Sequence, residues 1–290
     1  MINKKNFFVK LSPILCSAAL FAIPSVSSGA GTMSVGTGFD FSSGEYGGDA
    51  TTDITYIPFN AKYQNDRFAL KLTIPWVSMS SEDSNVVGGG GSNVIVLDSG
   101  EEINGVEGET NSGLGDIVLS ATSFAYEGDE NNPLIPMVDL TGKIKFPTAD
   151  EEKDLGTGQT DYALETDLTW FTTTTAIFTT LGYKFMGSPD TYELNNVAYG
   201  SLGVAYQIHS SLSTGLMYDV KQASTDSGTD SSEATGYVNY KLSDDLNFLF
   251  YGVKGFSDGS ADYGIGCTLS YSMDEADVDW FAPVRRISNL

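Results

Sequence analysis

The stretch FALKLTIPW at residues 68–76 alternates strictly between two kinds of side chain. Its even-numbered positions are large and apolar, whereas Ala69, Lys71 and Thr73 between them are small or polar. Because successive side chains of a β-strand point to opposite faces, the pattern predicts a strand with one apolar face and one polar face. The stretch is also longer than the average strand of a soluble protein, which has about 5–6 residues.

The same two-residue period recurs along the rest of the chain. We predict twelve strands, at residues 32–42, 50–63, 67–79, 114–126, 134–146, 161–171, 175–186, 197–208, 212–221, 233–242, 246–256 and 261–273. A tilted strand crosses the hydrocarbon layer with about 9–11 residues, so each predicted strand is long enough. The fold class that follows is all-β, a transmembrane antiparallel up-and-down β-barrel. A soluble secreted β-sandwich is the alternative. We favour the barrel because closure leaves no edge strand and satisfies the backbone in lipid.

The connections between the predicted strands alternate in length. Tight turns follow strands two, six, eight and ten, at residues 64–66, 172–174, 209–211 and 243–245. The other connections are mostly longer, although 127–133 is long for a turn and 257–260 is short for a loop. Outer-membrane barrels combine short periplasmic turns with long external loops. We therefore expect the short turns and both chain termini on the periplasmic side.

Residues 1–30 have the three parts of a secretory signal peptide. Lysines stand near its start, an apolar core runs over 11–23, and small residues precede a cleavage site after Ala30. The apolar core is too short for a membrane-spanning helix, which needs about 20 residues. We predict a signal peptide at 1–30, an outer-membrane barrel at 31–273 and a C-terminal tail at 274–290. The expected location is the outer membrane of a Gram-negative bacterium.

The chain is acidic, with a formal net charge of −23 at pH 7. No nucleic-acid partner is expected, because nucleic-acid phosphates need a basic surface. The partners expected of an outer-membrane barrel are membrane lipid, lipopolysaccharide, the barrel-assembly machinery and a small-molecule solute. Only Cys267 remains after the predicted cleavage, so no disulfide is expected within the mature chain.

The predicted lumen face carries most charge in strands five and six. The residues expected to line the lumen there are Lys143, Lys145, Asp161, Glu165 and Asp167, with Asp139 beside them. Any register that keeps both strands' charges inward places a lysine opposite or diagonal to a carboxylate. These charges either brace the wall as a salt-bridge network, which we favour, or select solutes by charge. Other charged residues expected to point inward are Lys71, Asp116, Lys184, Asp219 and Lys241.

The connection at residues 80–113 is acidic and carries no lysine or arginine. Its carboxylates could bind divalent cations such as those that bridge lipopolysaccharide. Their spacing matches no EF-hand loop, however, and we favour a solvated acidic loop. Within this connection, the apolar run at 94–97 either folds into the barrel mouth as a constriction or pairs as a small external hairpin.

Signals of enzymatic chemistry are weak. His209 is the only histidine, and it lies in a predicted tight turn. A serine–histidine site or a histidine-bound metal would need partners that the sequence does not suggest. We therefore predict no catalytic residue, no metal site and no cofactor. An outer-membrane hydrolase is a disfavoured alternative.

Three motifs carry a resemblance to a known family. They are GLGD at 113–116, LTGKIKFPT at 140–148 and LGTG at 155–158, which leads to Asp161 and Tyr162. With these motifs the chain resembles the family called putative MetA-pathway of phenol degradation, whose members are outer-membrane β-barrels often labelled transporters. The resemblance implies passage of small aromatic or hydrophobic compounds. It brings no defined binding residues with it.

The function predicted from these features is a passive channel or facilitator for small, hydrophobic or aromatic solutes. The alternative is a non-conducting structural or surface-interaction barrel. Twelve strands lie between the filled eight-stranded barrels and the open porins, so we expect a narrow or plugged pore. One departure from many such barrels is the end of the chain, where Tyr271 or Met273 would present the assembly signal and the tail at 274–290 follows.

Overall fold

The computed structural model describes residues 31–273 except for 49, 82–85, 89–94, 97–109, 129–131 and 133. The predicted signal peptide at 1–30 and tail at 274–290 lie outside the described residues, as do the acidic residues of the connection at 80–113. No helix in the described part of the chain is long and apolar enough to cross a membrane.

The described residues form fifteen strands and one short 3-10 turn, at Glu151–Lys153. The strands are β1 (Thr32–Gly44), β2 (Thr52–Gln64), β3 (Phe68–Ser81), β4 (Val86–Val87), β5 (Ile95–Val96), β6 (Thr110–Leu114), β7 (Ile117–Tyr126), β8 (Met137–Phe146), β9 (Asp161–Phe171), β10 (Thr175–Phe185), β11 (Val197–His209), β12 (Leu212–Lys221), β13 (Ser231–Lys241), β14 (Leu246–Gly255) and β15 (Tyr263–Ser272). β6 and β7 both pair with β3 and together make one wall strand, whereas β4 and β5 form a separate hairpin. The described wall therefore has twelve strands, as predicted.

The wall is closed. Each strand pairs antiparallel with its neighbours along the chain, and β1 also pairs with β15 over ten residue pairs, from Ser34 opposite Ser272 to Ser43 opposite Tyr263. Closure removes the free edges that an open sheet would expose to lipid, although β6 pairs with β3 alone. The predicted transmembrane antiparallel up-and-down barrel is confirmed.

The outer face of the wall is apolar and the inner face is mixed. On β9, Leu164 is 62% exposed, whereas Glu165 beside it is only 4% exposed. On β3, the large apolar residues that begin at Phe68 all point outward, as the alternation predicted. A soluble sandwich would bury these side chains, because exposed apolar area is unfavourable in water. The alternative of a soluble sandwich is therefore wrong, and the outer face is suited to lipid.

The two ends of the barrel differ. One end, which we call the long-loop end, carries the connections at residues 45–51, 82–109, 147–160, 186–196, 222–230 and 256–262. The other, the short-turn end, carries those at 65–67, 127–136, 172–174, 210–211 and 242–245. The connection expected at 257–260 is longer than predicted, because β14 ends at Gly255 and β15 begins only at Tyr263. Orientation with the short-turn end toward the periplasm stays a prediction.

A break in the wall positions one charged side chain. β3 pairs with β7 through residues 68–73 and with β6 through residues 76–80, and Pro75 lies between the two sets. Pro75 has no N–H, and its carbonyl accepts from Gly115 N at 2.9 Å. A Cβ at Gly115 would lie 2.8 Å from Val77, so this close approach requires glycine. Asp116 follows at once, outside the ladder, with its carboxylate directed to other partners.

The described residues of the interior form three apolar clusters. The largest occupies the middle of the lumen and its short-turn half, and consists of Ala176, Phe178, Ala205, Met217, Tyr237, Leu249 and Tyr251. We call it the central cluster. The other two lie at the long-loop end. In one, Leu155 from the loop at 147–160 packs on Ile54, Val77 and Met79 of the wall.

The third cluster involves the apolar run expected at 94–97. β5 pairs with β4 as a small hairpin, and Ile95 packs with Val87 and Leu194. Ile95 also lines the lumen cavity. Residues 95–96 of this run therefore pair as a hairpin, but Ile95 reaches the barrel mouth, so the hairpin is not simply external; residues 94 and 97 lie outside the described residues.

Candidate functional site

The long-loop half of the lumen holds a cavity of about 240 Å³, which we call the chamber. Its lining joins strands from all around the wall. Apolar lining residues from the wall and its loops include Ile54, Met186, Val197, Met217, Val253 and Ala261. Four lysines and five carboxylates also line the chamber. An apolar pocket with a few convergent polar groups is the usual form of a small-molecule site.

One side of the chamber is built from β8, β9 and β10, and we call it the ion-paired side. Lys143 Nζ lies 2.5 Å from Glu165 Oε1, which also accepts from Tyr199 OH at 2.6 Å. Lys143 is opposite Ala163 in the register, so the lysine reaches Glu165 diagonally. The glutamate is buried, and both a cation and a hydroxyl donor offset the loss of water around its charge.

The second part of the ion-paired side is centred on Asp161. Lys145, directly opposite in the register, lies 3.1 Å from Asp161 Oδ2 and 2.8 Å from Asp116 Oδ2. Lys184 of β10 lies 3.2 Å from the same Asp161 oxygen. Asp116 is held in turn by Thr148 N and by Ala149 N at 3.0 Å. The network therefore ties three wall strands to the break at Pro75.

The five residues predicted to line the lumen do not all meet. The structure places Lys143, Lys145, Asp161 and Glu165 on the chamber wall. Asp167 lies further toward the short-turn end, outside the chamber lining, and accepts from Thr180 Oγ1 at 2.5 Å. The separation follows from strand geometry, because residues two apart on one strand lie about 7 Å apart along it. Whether the four act on a solute stays a proposal.

The opposite side of the chamber, which we call the acidic side, has a different charge pattern. Asp219 of β12 and Glu233 of β13 are direct cross-strand partners, and both line the chamber. Glu233 accepts from Ala261 N at 3.2 Å, and the charge of Lys221, two residues beyond Asp219 on β12, attracts it as well.

Some of these lining residues were missed from the sequence. Asp219 was expected to point inward, but Glu233 and Asp40 were not named. Glu233 shares a face with Thr235 and Tyr237, so the two-residue period could have identified it. Asp40 accepts a hydrogen bond from Tyr251 OH across the lumen. Nothing local in the sequence indicates that contact, because the two residues lie on β1 and β14.

The loop at 147–160 contributes a charged group outside the wall. Asp154 has a φ of 56°, in the left-handed region that Asp tolerates better than most residues. Burial raises the pKa of its carboxyl to about 6. Its carbonyl accepts from Gly88 N at 2.8 Å, which links this loop to the hairpin of β4 and β5. The two inward-folded segments of the mouth are thus joined.

A second, smaller cavity of about 40 Å³ lies in the short-turn half, lined in part by Lys62, Lys71 and Leu249. The central cluster lies between the two cavities, since Met217 and Tyr251 line the chamber while Leu249 lines the second cavity. Lys241, also expected to face inward, lies 2.9 Å from Asp244 near the short-turn end.

His209 was expected in a tight turn but is the last residue of β11, where it is exposed with its Nδ1 near Ser210 Oγ and Ser211 N. It lies at the short-turn end, away from the chamber. Within the described ranges, no three His, Cys, Asp or Glu side chains are grouped as a metal site would require.

A solved outer-membrane channel has the same architecture. The COG4313 outer membrane channel from Pseudomonas putida F1 matches with 14% identity and a TM-score of 0.63, over 85% of this chain and 97% of that one. The CymD monoaromatic hydrocarbon channel matches with 12% identity over 83% and 88% of the chains, TM-score 0.43. The Pseudomonas putida toluene transporter TodX matches with 9% identity over 85% and 90%, TM-score 0.40. At these identities the likeness concerns the fold.

Among curated protein sequences, no relative matches the chain. The barrel, its apolar outer face and the likeness to an outer-membrane channel place the protein in the outer membrane of a Gram-negative bacterium. The model of the family described as Putative MetA-pathway of phenol degradation matches residues 25–273, nearly the whole chain. The family suggested by the three motifs is thereby confirmed, and the chain belongs to it.

Proposed function

We propose that this barrel is a passive channel for small, hydrophobic solutes of about the size of a single aromatic ring. The observation that carries the proposal is the chamber, a cavity of about 240 Å³ inside a closed wall. The matched protein of Pseudomonas putida F1 is called an outer membrane channel, which is the same general activity.

The size of the chamber sets the size of the solute. An apolar cavity of about 150 Å³ in another protein binds benzene. A chamber of about 240 Å³ therefore has room for one ring with a few substituent atoms. Apolar residues at the mouth include Ile95 and Leu155. They would contact an apolar solute as it enters, so that its apolar surface is removed from water in steps.

The outer face supports the proposed setting. Large apolar side chains such as Leu202 and Leu216 cover it, and they would contact lipid tails. We propose lipopolysaccharide and the barrel-assembly machinery as further partners on the grounds that any outer-membrane barrel meets them. In this proposal the ion-paired side braces the wall, and the solute packs against the apolar lining.

A second candidate function is a non-conducting structural barrel, and the central cluster favours it. Phe178, Tyr237 and Tyr251 fill the lumen between the two cavities, so a solute must displace aromatic side chains to pass. A channel needs rotamer changes in this cluster, whereas a structural barrel needs none.

Transport through outer-membrane vesicles rich in lipopolysaccharide separates the two candidates. A single-ring solute such as toluene should equilibrate faster with vesicles that carry the protein than with vesicles that lack it. Val197→Trp places a large side chain in the chamber and should abolish this difference. Val204→Trp on the same strand faces outward and is the matched control. If the protein speeds no solute, or if Val197→Trp has no effect, the barrel is not a channel of this kind.

A further inference from the structure

The acidic side of the chamber is unfavourable as it stands. Asp219 and Glu233 are directly opposite each other, where Cβ atoms of neighbouring strands are about 4.5–5.5 Å apart. Like charges in this position are destabilising, and a lumen partly shielded from water strengthens the repulsion. Like-charged residues are also direct cross-strand partners at Asp139 and Asp167 and at Lys62 and Lys71, but those pairs lie outside the chamber lining, whereas Asp219 and Glu233 both face the chamber. A feature that costs stability in the free protein suggests that a ligand uses it.

A second observation points to a ligand at the same place. Ser201 of β11 is the direct cross-strand partner of Asp219 and lines the chamber. The residue is only 7% exposed, and its Oγ is buried without a hydrogen-bond partner. A buried hydroxyl without a partner costs about 1–3 kcal/mol. A ligand group that both donates and carries positive charge would satisfy the hydroxyl and both carboxylates together.

Apolar surface adjoins these polar groups. Met217 lies two residues from Asp219 on β12, and Val253 and Tyr251 line the chamber from β14, which pairs with β13. A ring would therefore contact side chains next to the carboxylates. The Tyr251 hydroxyl donates to Asp40, which fixes the ring and places a third carboxylate beyond its hydroxyl.

The charge of the lining also favours a cation. Five carboxylates and four lysines line the chamber, and Asp116, which pairs with Lys145, adds a further negative charge next to the lining. Lys143, Lys145 and Lys184 have carboxylate partners on the ion-paired side. The excess of negative charge therefore falls on the acidic side, although Lys221 offsets part of it.

We propose that the chamber selects single-ring amphiphiles with a protonated amine, whose ammonium group lies between Asp219, Glu233 and Ser201. The ring packs against Met217, Val253 and Tyr251. The inference rests on the proposed function and narrows it, since it gives the solute a cationic head group as well as an apolar body. Charge-assisted hydrogen bonds to the two carboxylates supply the preference over a neutral ring of the same size.

Three probes that share one ring test the inference: benzylammonium, benzyl alcohol and benzoate. Binding of each to the mature barrel in detergent micelles is measured by ligand-observed NMR. Signal that persists in Val197→Trp is assigned to the micelle and subtracted. Benzylammonium should bind about tenfold more tightly than benzyl alcohol, and benzoate most weakly, because a hydrogen bond to a charged group contributes about 1.5–3 kcal/mol.

The variants Asp219→Asn and Glu233→Gln should each weaken benzylammonium binding about tenfold and leave benzyl alcohol within about twofold. Ser201→Ala should have a smaller effect of the same kind. Asp258→Asn removes an equal charge from an exposed position in the loop at 256–262 and should change nothing. Heat-modifiable migration on gels shows that each variant is assembled, and benzyl alcohol binding checks the chamber in the same sample.

The outcomes separate this inference from the proposed function. If benzyl alcohol binds in the chamber and benzylammonium binds no better, the inference is overturned and the channel proposal stands. The same holds if both carboxylate variants retain the full preference. If no probe binds in a manner that Val197→Trp removes, the proposed function fails and the inference fails with it.

Discussion

The two sides of the chamber come from the same kind of strand and differ in what stands on the neighbouring strand. On the ion-paired side, Lys145 is opposite Asp161, and Lys143 reaches Glu165 diagonally. On the acidic side, Asp219 is opposite Glu233. Both sides follow from the same alternation of inward and outward residues. Cross-strand register, not the number of charges on a strand, therefore decides whether the charges of a polar lumen stabilise the wall by pairing or destabilise it by repulsion.

The largest effect is expected from breaking the ion-paired side at its centre. Lys145→Met removes the cation that contacts both Asp116 and Asp161 and leaves two carboxylates with fewer partners. The free energy of unfolding from lipid vesicles in urea should fall by about 3 kcal/mol. Lys153→Met is the control, since its pair with Asp150 is exposed and should contribute less than about 0.5 kcal/mol. Equal losses in the two variants would contradict the distinction between wall and surface pairs.

Removing one carboxylate from each side should have opposite consequences for stability. Glu165→Gln leaves Lys143 and the Tyr199 hydroxyl without their anionic partner and should lower the free energy of unfolding by about 2 kcal/mol. Asp219→Asn relieves repulsion with Glu233 and should leave stability unchanged or raise it by up to about 1 kcal/mol. The same urea titrations measure both. A loss in Asp219→Asn as large as in Glu165→Gln would show that the acidic side is braced after all.

A charge swap tests the proposal that the ion-paired side only braces the wall. Lys143→Glu combined with Glu165→Lys keeps one cation and one anion at the same two positions. Stability should stay within about 1 kcal/mol, and the reversal potential of any ion current in planar bilayers should not change, because the net charge of the lumen is preserved. A shifted reversal potential would mean that these charges select ions.

The smallest effect on stability is expected from the titration of Asp154, whose carboxyl lies in the loop at 147–160, outside the wall. Burial raises its pKa to about 6, above the ordinary value of 3.8, so the folded loop favours the protonated form. The extra stability of the loop is fully present below about pH 4 and is lost as the pH rises through 6. Hydrogen exchange at Gly88, whose amide donates to the Asp154 carbonyl, should report a loss below about 1 kcal/mol once corrected for intrinsic rates.

Asp154→Asn serves as the matched variant for this pH dependence. Asn tolerates the left-handed backbone at this position and does not titrate, so the exchange protection of Gly88 should become independent of pH. A pH dependence that persists in Asp154→Asn would assign it to another group of the mouth.

Local sequence was sufficient for the wall. Alternation at residues 68–76 predicted both the strand and the outward face of Leu70 and Trp76, because the two-residue period is a property of the strand itself. Strand order followed from the short connections, since neighbouring strands of an up-and-down barrel are neighbours in the chain. The pairing of lysines with carboxylates between β8 and β9, the fifth and sixth predicted strands, was also predictable, because both strands belong to one hairpin.

The sequence by itself therefore determined the barrel, its inward and outward faces and the family. Only the tertiary structure decided which inward residues share a cavity. The stagger of strands around a closed barrel sets the depth of each residue, and it separated Asp167 from Glu165 while it joined Ser201, Asp219 and Glu233. The inward folding of Ile95 and Leu155 depends in the same way on packing against residues distant in sequence. The two-residue period determines which face of the wall a side chain occupies. Its position along the barrel axis and the packing of the loops depend on closure of the whole ring.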